Sequence, residues 1–99
     1  MDMNDSPREL SRADFERALT RRQRDRMVRG EFLGGDDIRA LRKFTGLSQV
    51  RFAEALGISV HTLRNWEQDR RTPEGPALAL LRVVARHPRV VHENLAASA

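Results

Sequence analysis

The sequence predicts an all-α fold, on three observations. Apolar residues recur at helical spacing, most clearly Ala77, Leu80, Leu81 and Val84 at i, i+3, i+4 and i+7. Helix-starting residues (Ser48, Ser59 and the pair Asp36-Asp37) stand just ahead of such stretches, and helix-ending glycines (Gly30, Gly46 and Gly57) stand just behind. Over residues 47–68, LSQVRFAEALGISVHTLRNWEQ, small, apolar and capping residues fall where two short helices joined by a tight turn need them. The expected layout is a five-helix domain over 35–95, with an additional helical arm over 1–34 ahead of it and a flexible tail over 96–99.

In chain order, residues 1–10 read as a frayed end with mixed charge and little to bury. Ser11 with Asp14 makes a capping-box-like start for a helix running to Gly30. Its apolar stripe is poor, because Arg22 and Arg26 continue the face begun by Phe15, Ala18 and Leu19. Such a helix either completes its packing on a partner or rests lightly on the domain. Gly34-Gly35 breaks the chain, Asp36 and Asp37 supply an N-cap and negative charge to the next helix, and Ile38 and Leu41 point inward. Thr72-Pro73 reads as a cap followed by a first-turn proline, opening the helix that carries the Ala77 to Val84 stripe. His87-Pro88 ends it, and Val90, Val91 and Leu95 suggest one last short helix.

Between them lies the pair of short helices. With Ser48 as cap, Phe52, Ala53 and Leu56 share a face, and Gly57 supplies the left-handed residue that stops the helix. Ser59 caps the second helix, whose Leu63 and Trp66 turn inward. Ala53 is small where the helices must cross steeply. This is a helix-turn-helix spacing, and it points to DNA.

Composition is consistent with that reading. Of 18 basic residues, 17 are arginine, and the formal net charge is +4 with a pI near 11.1. Arginine's planar fork suits phosphate oxygens and guanine edges, so a polyanionic partner is favoured. At 99 residues the chain has room for one small domain. With no cysteine, disulfides and thiolate metal sites are excluded, and a reducing, cytoplasmic setting is expected. No apolar run reaches membrane-spanning length and no signal peptide is visible. An enzyme is not expected: the chain has no Gly-rich phosphate loop and no nucleophile elbow. His87, His92 and Glu93 lack metal-ligand spacing, so neither metal nor cofactor is expected.

On the LSQ opening, the NWEQ close and the segment LRNWEQDRRTPEGPALALLRVVARHP, residues 36–88 resemble the Xre or phage-repressor type of helix-turn-helix, a lambda-repressor-like fold. More narrowly they are similar to HigA-type antitoxins and related regulators. The resemblance implies that the second helix lies in the major groove and that Gln49, Ser59, Val60, His61, Thr62, Arg64 and Asn65 face DNA, with Arg70 and Arg71 on phosphates. Arg64 has the fork for guanine and Asn65 the amide for adenine, and Val60 or the Thr62 methyl suits a thymine methyl. For Arg64 and Asn65, phosphate contact or simple exposure is the alternative. His61 either donates to phosphate or accepts from a base amine, according to its tautomer.

In the resembled repressors the glutamine equivalent to Gln49 touches the backbone and supports a base-reading neighbour. Here that neighbour is Val60, which takes no hydrogen bond. Val50-Arg51 also departs from the acids that relatives carry, so Arg51 either adds a phosphate contact or costs a little helix stability. Arg42 and Glu67 are spaced as the family's internal ion pair. Trp66 reads as core.

The function expected is a homodimeric repressor on an inverted-repeat operator, with Val90, Val91 and Leu95 at the dimer interface. It is either the antitoxin of a HigBA-type pair, with a small basic RelE-like toxin as partner facing Asp14, Glu16 and Asp25, or a free-standing regulator without a toxin.

Overall fold

The computed structural model describes residues 19–98, an order of six helices: α1 Arg21–Val28, α2 Gly35–Thr45, α3 Gln49–Leu56, α4 Val60–Glu67, α5 Pro76–Arg86 and α6 Arg89–Ser98. No strand occurs among the described residues. Five helices thus follow Gly34, with one more ahead of them. The expected capping start at Ser11 and Asp14, the stripe residues Phe15 and Ala18, and the acids Asp14 and Glu16 lie outside the described residues.

Each helix boundary has a local cause. Thr20 opens α1 with a reciprocal capping box: its hydroxyl accepts from the Gln23 amide, while its own amide donates to Gln23 Oε1, both at 3.0 Å. Ser48 accepts from the Arg51 amide and Ser59 from the Thr62 amide, opening α3 and α4. Gly57, at φ 72°, turns the chain between them, and the Ile58 amide closes back on Ala53 O.

Three starts differ from expectation. α1 begins only at Arg21, because Thr20 is extended at φ −70° and ψ 155°, so the helix expected to run unbroken from Ser11 to Gly30 is interrupted there. α2 begins at Gly35, so Asp36 and Asp37 sit inside its first turn rather than capping it. The Gly35 amide instead donates to Asp69 Oδ1 at 2.7 Å, a cap supplied from the end of α4. Likewise α5 starts at Pro76, not Pro73. Either proline satisfies the local rule for a first turn. Pro73 is buried, and the chain turns once more before the helix begins.

The core gathers residues from every helix: Met27, Ile38, Leu41, Phe52, Ala53, Leu56, Leu63, Trp66, Leu81, Val84, Val91 and Leu95 are all buried. α3 packs on α4 and α6, α2 on α4, and α5 on α1 and α6.

The described part of the arm, α1, is held firmly on the domain rather than resting lightly on it. Met27 is 0 % exposed, Arg24 donates to Ala85 O and Arg86 O at the end of α5, and Arg82 of α5 donates back to Val28 O. Arg26, expected to keep its face wet, forms a two-pronged pair with buried Asp37, Nη1 to Oδ2 at 2.7 Å. Arginines thus do the docking that an apolar stripe would otherwise do.

A second correction concerns the C-terminal end. Val91 is 1 % exposed and Leu95 8 %, both inside the chain's own core, so neither can present itself to a second copy. Val90 is only partly buried. The helix also runs through Ser98, taking in most of the stretch expected as a tail.

Candidate nucleic-acid interface

The helix-turn-helix pair presents one ridge outward. Along α4, Leu63, Trp66 and Glu67 are buried, while His61, Arg64 and Gln68 are exposed at i, i+3 and i+7. Thr62 and Asn65 flank that ridge, half-buried. The Ser59 hydroxyl is committed to the cap and donates to Thr62 Oγ1 at 3.0 Å. Val60 is half-buried and packs against the core, which sets it at the inner edge of the ridge. Gln68, the residue that caps the end of α4, extends the exposed ridge seven positions on from His61.

Behind the ridge a chain of hydrogen bonds runs inward. Arg64 Nε donates to Gln49 Oε1 at 3.1 Å, and Gln49 Nε2 donates to Glu67 Oε1 at 2.9 Å. Arg42 Nε donates to Glu67 Oε2 at 2.7 Å and Arg42 Nη2 to Glu67 Oε1 at 3.2 Å. The Glu67 side chain is 2 % exposed and that of Arg42 13 %, so the pair is held largely away from water. Arg42 Nη1 also reaches Leu47 O, pinning the entry to α3. The glutamine therefore finds its partner in Arg64, four residues beyond Val60.

The end of α4 is fixed as firmly as its start. Arg39 Nη2 donates to Glu67 O at 2.8 Å, satisfying a carbonyl at the helix terminus. Gly35 lies so close beneath that a Cβ there would sit 2.2 Å from Glu67 O and 2.6 Å from Trp66 O. Asp69 adopts φ 62°, and the amides of Arg70 and Arg71 both bond back to Asn65 O. The two exposed arginines are thereby carried just beyond the ridge.

On α3, Arg51 pairs with Glu54 at 2.7 Å, both exposed, and Val50 is 56 % exposed. An exposed pair of this kind leaves Arg51 little constrained. His92 lies 2.8 Å from Thr45 O, closing the end of α2, and among the described residues no group of three or more His, Asp or Glu is placed to hold a metal ion. No helix among them is long and apolar enough to cross a membrane.

Comparison with known proteins agrees with this geometry. The sequence model of a family described as a helix-turn-helix domain matches residues 35–95. Over 56 residues the chain is 43 % identical to Antitoxin HigA-2 of Vibrio cholerae, covering 57 % of this chain and 54 % of that protein. Over 52 residues it is 40 % identical to the uncharacterized HTH-type transcriptional regulator YiaG of Escherichia coli, covering 52 % of this chain and 54 % of that protein. The chain spans about half the length of these relatives.

Proposed function

Since the chain belongs to the Xre type of the helix-turn-helix domain family, we propose that it is a sequence-specific DNA-binding repressor acting as a homodimer on an inverted repeat. The observation that carries this reading is the exposed ridge of His61, Arg64 and Gln68 on a helix capped at Ser59 and pinned from behind by Gln49, Arg42 and Arg39. A short rigid helix with an exposed polar edge is what the major groove admits. In this reading His61, Thr62, Arg64 and Asn65 face base edges, with Val60 at their margin beside a thymine methyl. Ser59 and Gln49 lie near the backbone, and Arg70 and Arg71 meet phosphates.

Two copies are needed because one short helix offers too few base contacts for useful specificity, and half-sites should lie about one helical turn, ~34 Å, apart. With Val91 and Leu95 inside the core, apolar side chains still accessible for pairing at this end include Val83, 44 % exposed, and the half-buried Leu80 and Val90.

Gel shifts on the DNA upstream of the chain's own reading frame test the proposal. Arg64→Ala should lose sequence preference, whereas Arg71→Ala should lose mainly salt-dependent affinity. Equal binding of the wild type to scrambled DNA would sink the reading.

The similarity to a protein named an antitoxin favours one refinement: that the repressor also neutralises a small basic RelE-like toxin encoded beside it. Residues 1–34 are then the toxin-facing arm and 35–95 the DNA-binding domain. Co-expression of such a neighbour with the full chain, and with a version lacking residues 1–18, checks this. Loss of neutralisation in the shortened version supports the arm's role. A neighbour that is not toxic leaves the free-standing regulator.

A further inference from the structure

Arg64 is exposed and hangs on a flexible stem, so packing alone does not aim it. What aims it is Gln49, whose Oε1 accepts from Arg64 Nε at 3.1 Å while its Nε2 donates to Glu67 Oε1 at 2.9 Å. The direction of this relay is forced by chemistry. A carboxylate only accepts and a guanidinium only donates, so an amide between them must turn its NH2 toward Glu67 and its carbonyl toward Arg64. Glu67 in turn cannot swing away, because it is buried and gripped by Arg42 through both carboxylate oxygens.

We propose that Gln49 and Glu67 are positioning residues that set the base preference of Arg64, an inference that rests on the DNA-binding reading above. With Nε held by Gln49, the outer Nη1 and Nη2 edge of Arg64 is the edge left to meet the groove. That edge matches guanine, whose O6 and N7 acceptors lie side by side in the major groove. A fork already held in orientation loses less freedom on binding than a loose one, so its discrimination is sharper. Val60 has no hydrogen-bonding side-chain atom, and the bond from α4 to Gln49 Oε1 comes from Arg64.

Selection of bound duplexes from a randomised library, followed by sequencing, tests the inference on the full chain and on Gln49→Ala, Glu67→Gln, Arg64→Ala and the Gln49→Ala/Arg64→Ala double variant. The wild type should prefer guanine at one position of each half-site, and Arg64→Ala should erase that preference. Gln49→Ala should lower it about tenfold at the same position, leaving preferences elsewhere intact, and should add nothing in the Arg64→Ala background. Glu67→Gln should act like Gln49→Ala, because a neutral amide at 67 lets Gln49 turn over. Thermal unfolding reports whether Glu67→Gln folds, and Gln49→Ala carries the test without it.

A uniform loss of affinity in Gln49→Ala with the guanine preference intact, the mark of a lost phosphate contact, overturns the inference and leaves the DNA-binding reading standing. So does an Arg64→Ala variant that changes no single position. A wild type without any sequence preference overturns both.

Discussion

Asp37 joins the arm to the domain through one carboxylate. It accepts from Arg26 at 2.7 Å and from the Leu33 amide at 2.8 Å, and it is almost fully buried. Burial alone pushes the carboxyl up, but the hydrogen bonds from Arg26 and Leu33, with the Arg26 charge, outweigh it and hold the group below its ordinary value of 3.8. A carboxylate depressed on folding contributes stability that is present above that ordinary value and is lost as pH falls through the lower, folded one. Urea unfolding followed from pH 7 to pH 3 should therefore show stability falling below about pH 4. Asp37→Asn should flatten part of that fall and cost about 1–3 kcal/mol at pH 7. An unchanged acid limb in the variant would remove Asp37 from the account. Gly35 makes a different demand. An alanine would normally favour a helix, yet here its methyl would collide with backbone at the end of α4, 2.2 Å from Glu67 O. Gly35→Ala should destabilise by roughly 1–3 kcal/mol, opposite in sign to its helix propensity, as read from the urea midpoint.

At the scale of elements, α3 and α4 were legible because their rules are local. A serine stands one residue before each helix, a glycine at φ 72° stands between them, and the buried faces follow from spacing alone. Ser59→Ala should accordingly cost about 1 kcal/mol, and slightly more if the lost bond to Thr62 frees that hydroxyl; thermal unfolding at fixed pH checks it. The elements that escaped reading depend on distant partners. Thr20 and Gln23 are a capping box in plain view, but whether α1 docks is decided by carbonyls of Ala85 and Arg86, about sixty residues away. α5 opens at Pro76 rather than Pro73 where Gly75, at φ 56°, turns the chain just ahead of it, while Pro73 is buried. The candidate site divides in the same way. Helical periodicity finds the outward ridge, whereas the bond from Arg64 to Gln49 crosses a turn and fifteen positions, and appears only once the two helices are packed.

At the scale of the whole molecule, apolar side chains that look available for a partner are divided between the chain's own core and its surface. Val91 and Leu95 close the core beneath α3 and α5, while Val83 stays 44 % exposed on the outer side of α5. The two kinds of position should fail differently when charged. A carboxylate at Val91 would be buried without a partner, at a cost comparable to the whole stability of a small domain, so Val91→Asp should abolish the cooperative unfolding transition. A carboxylate at Val83 stays in water, so Val83→Asp should keep its helical circular dichroism and melting curve. If the proposed dimer uses this side of α5, Val83→Asp should sediment as a monomer at concentrations where the wild type sediments as a dimer, and its affinity for a two-half-site operator should fall toward that for a single half-site. A Val83→Asp protein that still sediments as a dimer moves the pairing surface elsewhere, and a Val91→Asp protein that melts normally would mean that α6 does not close the core in solution.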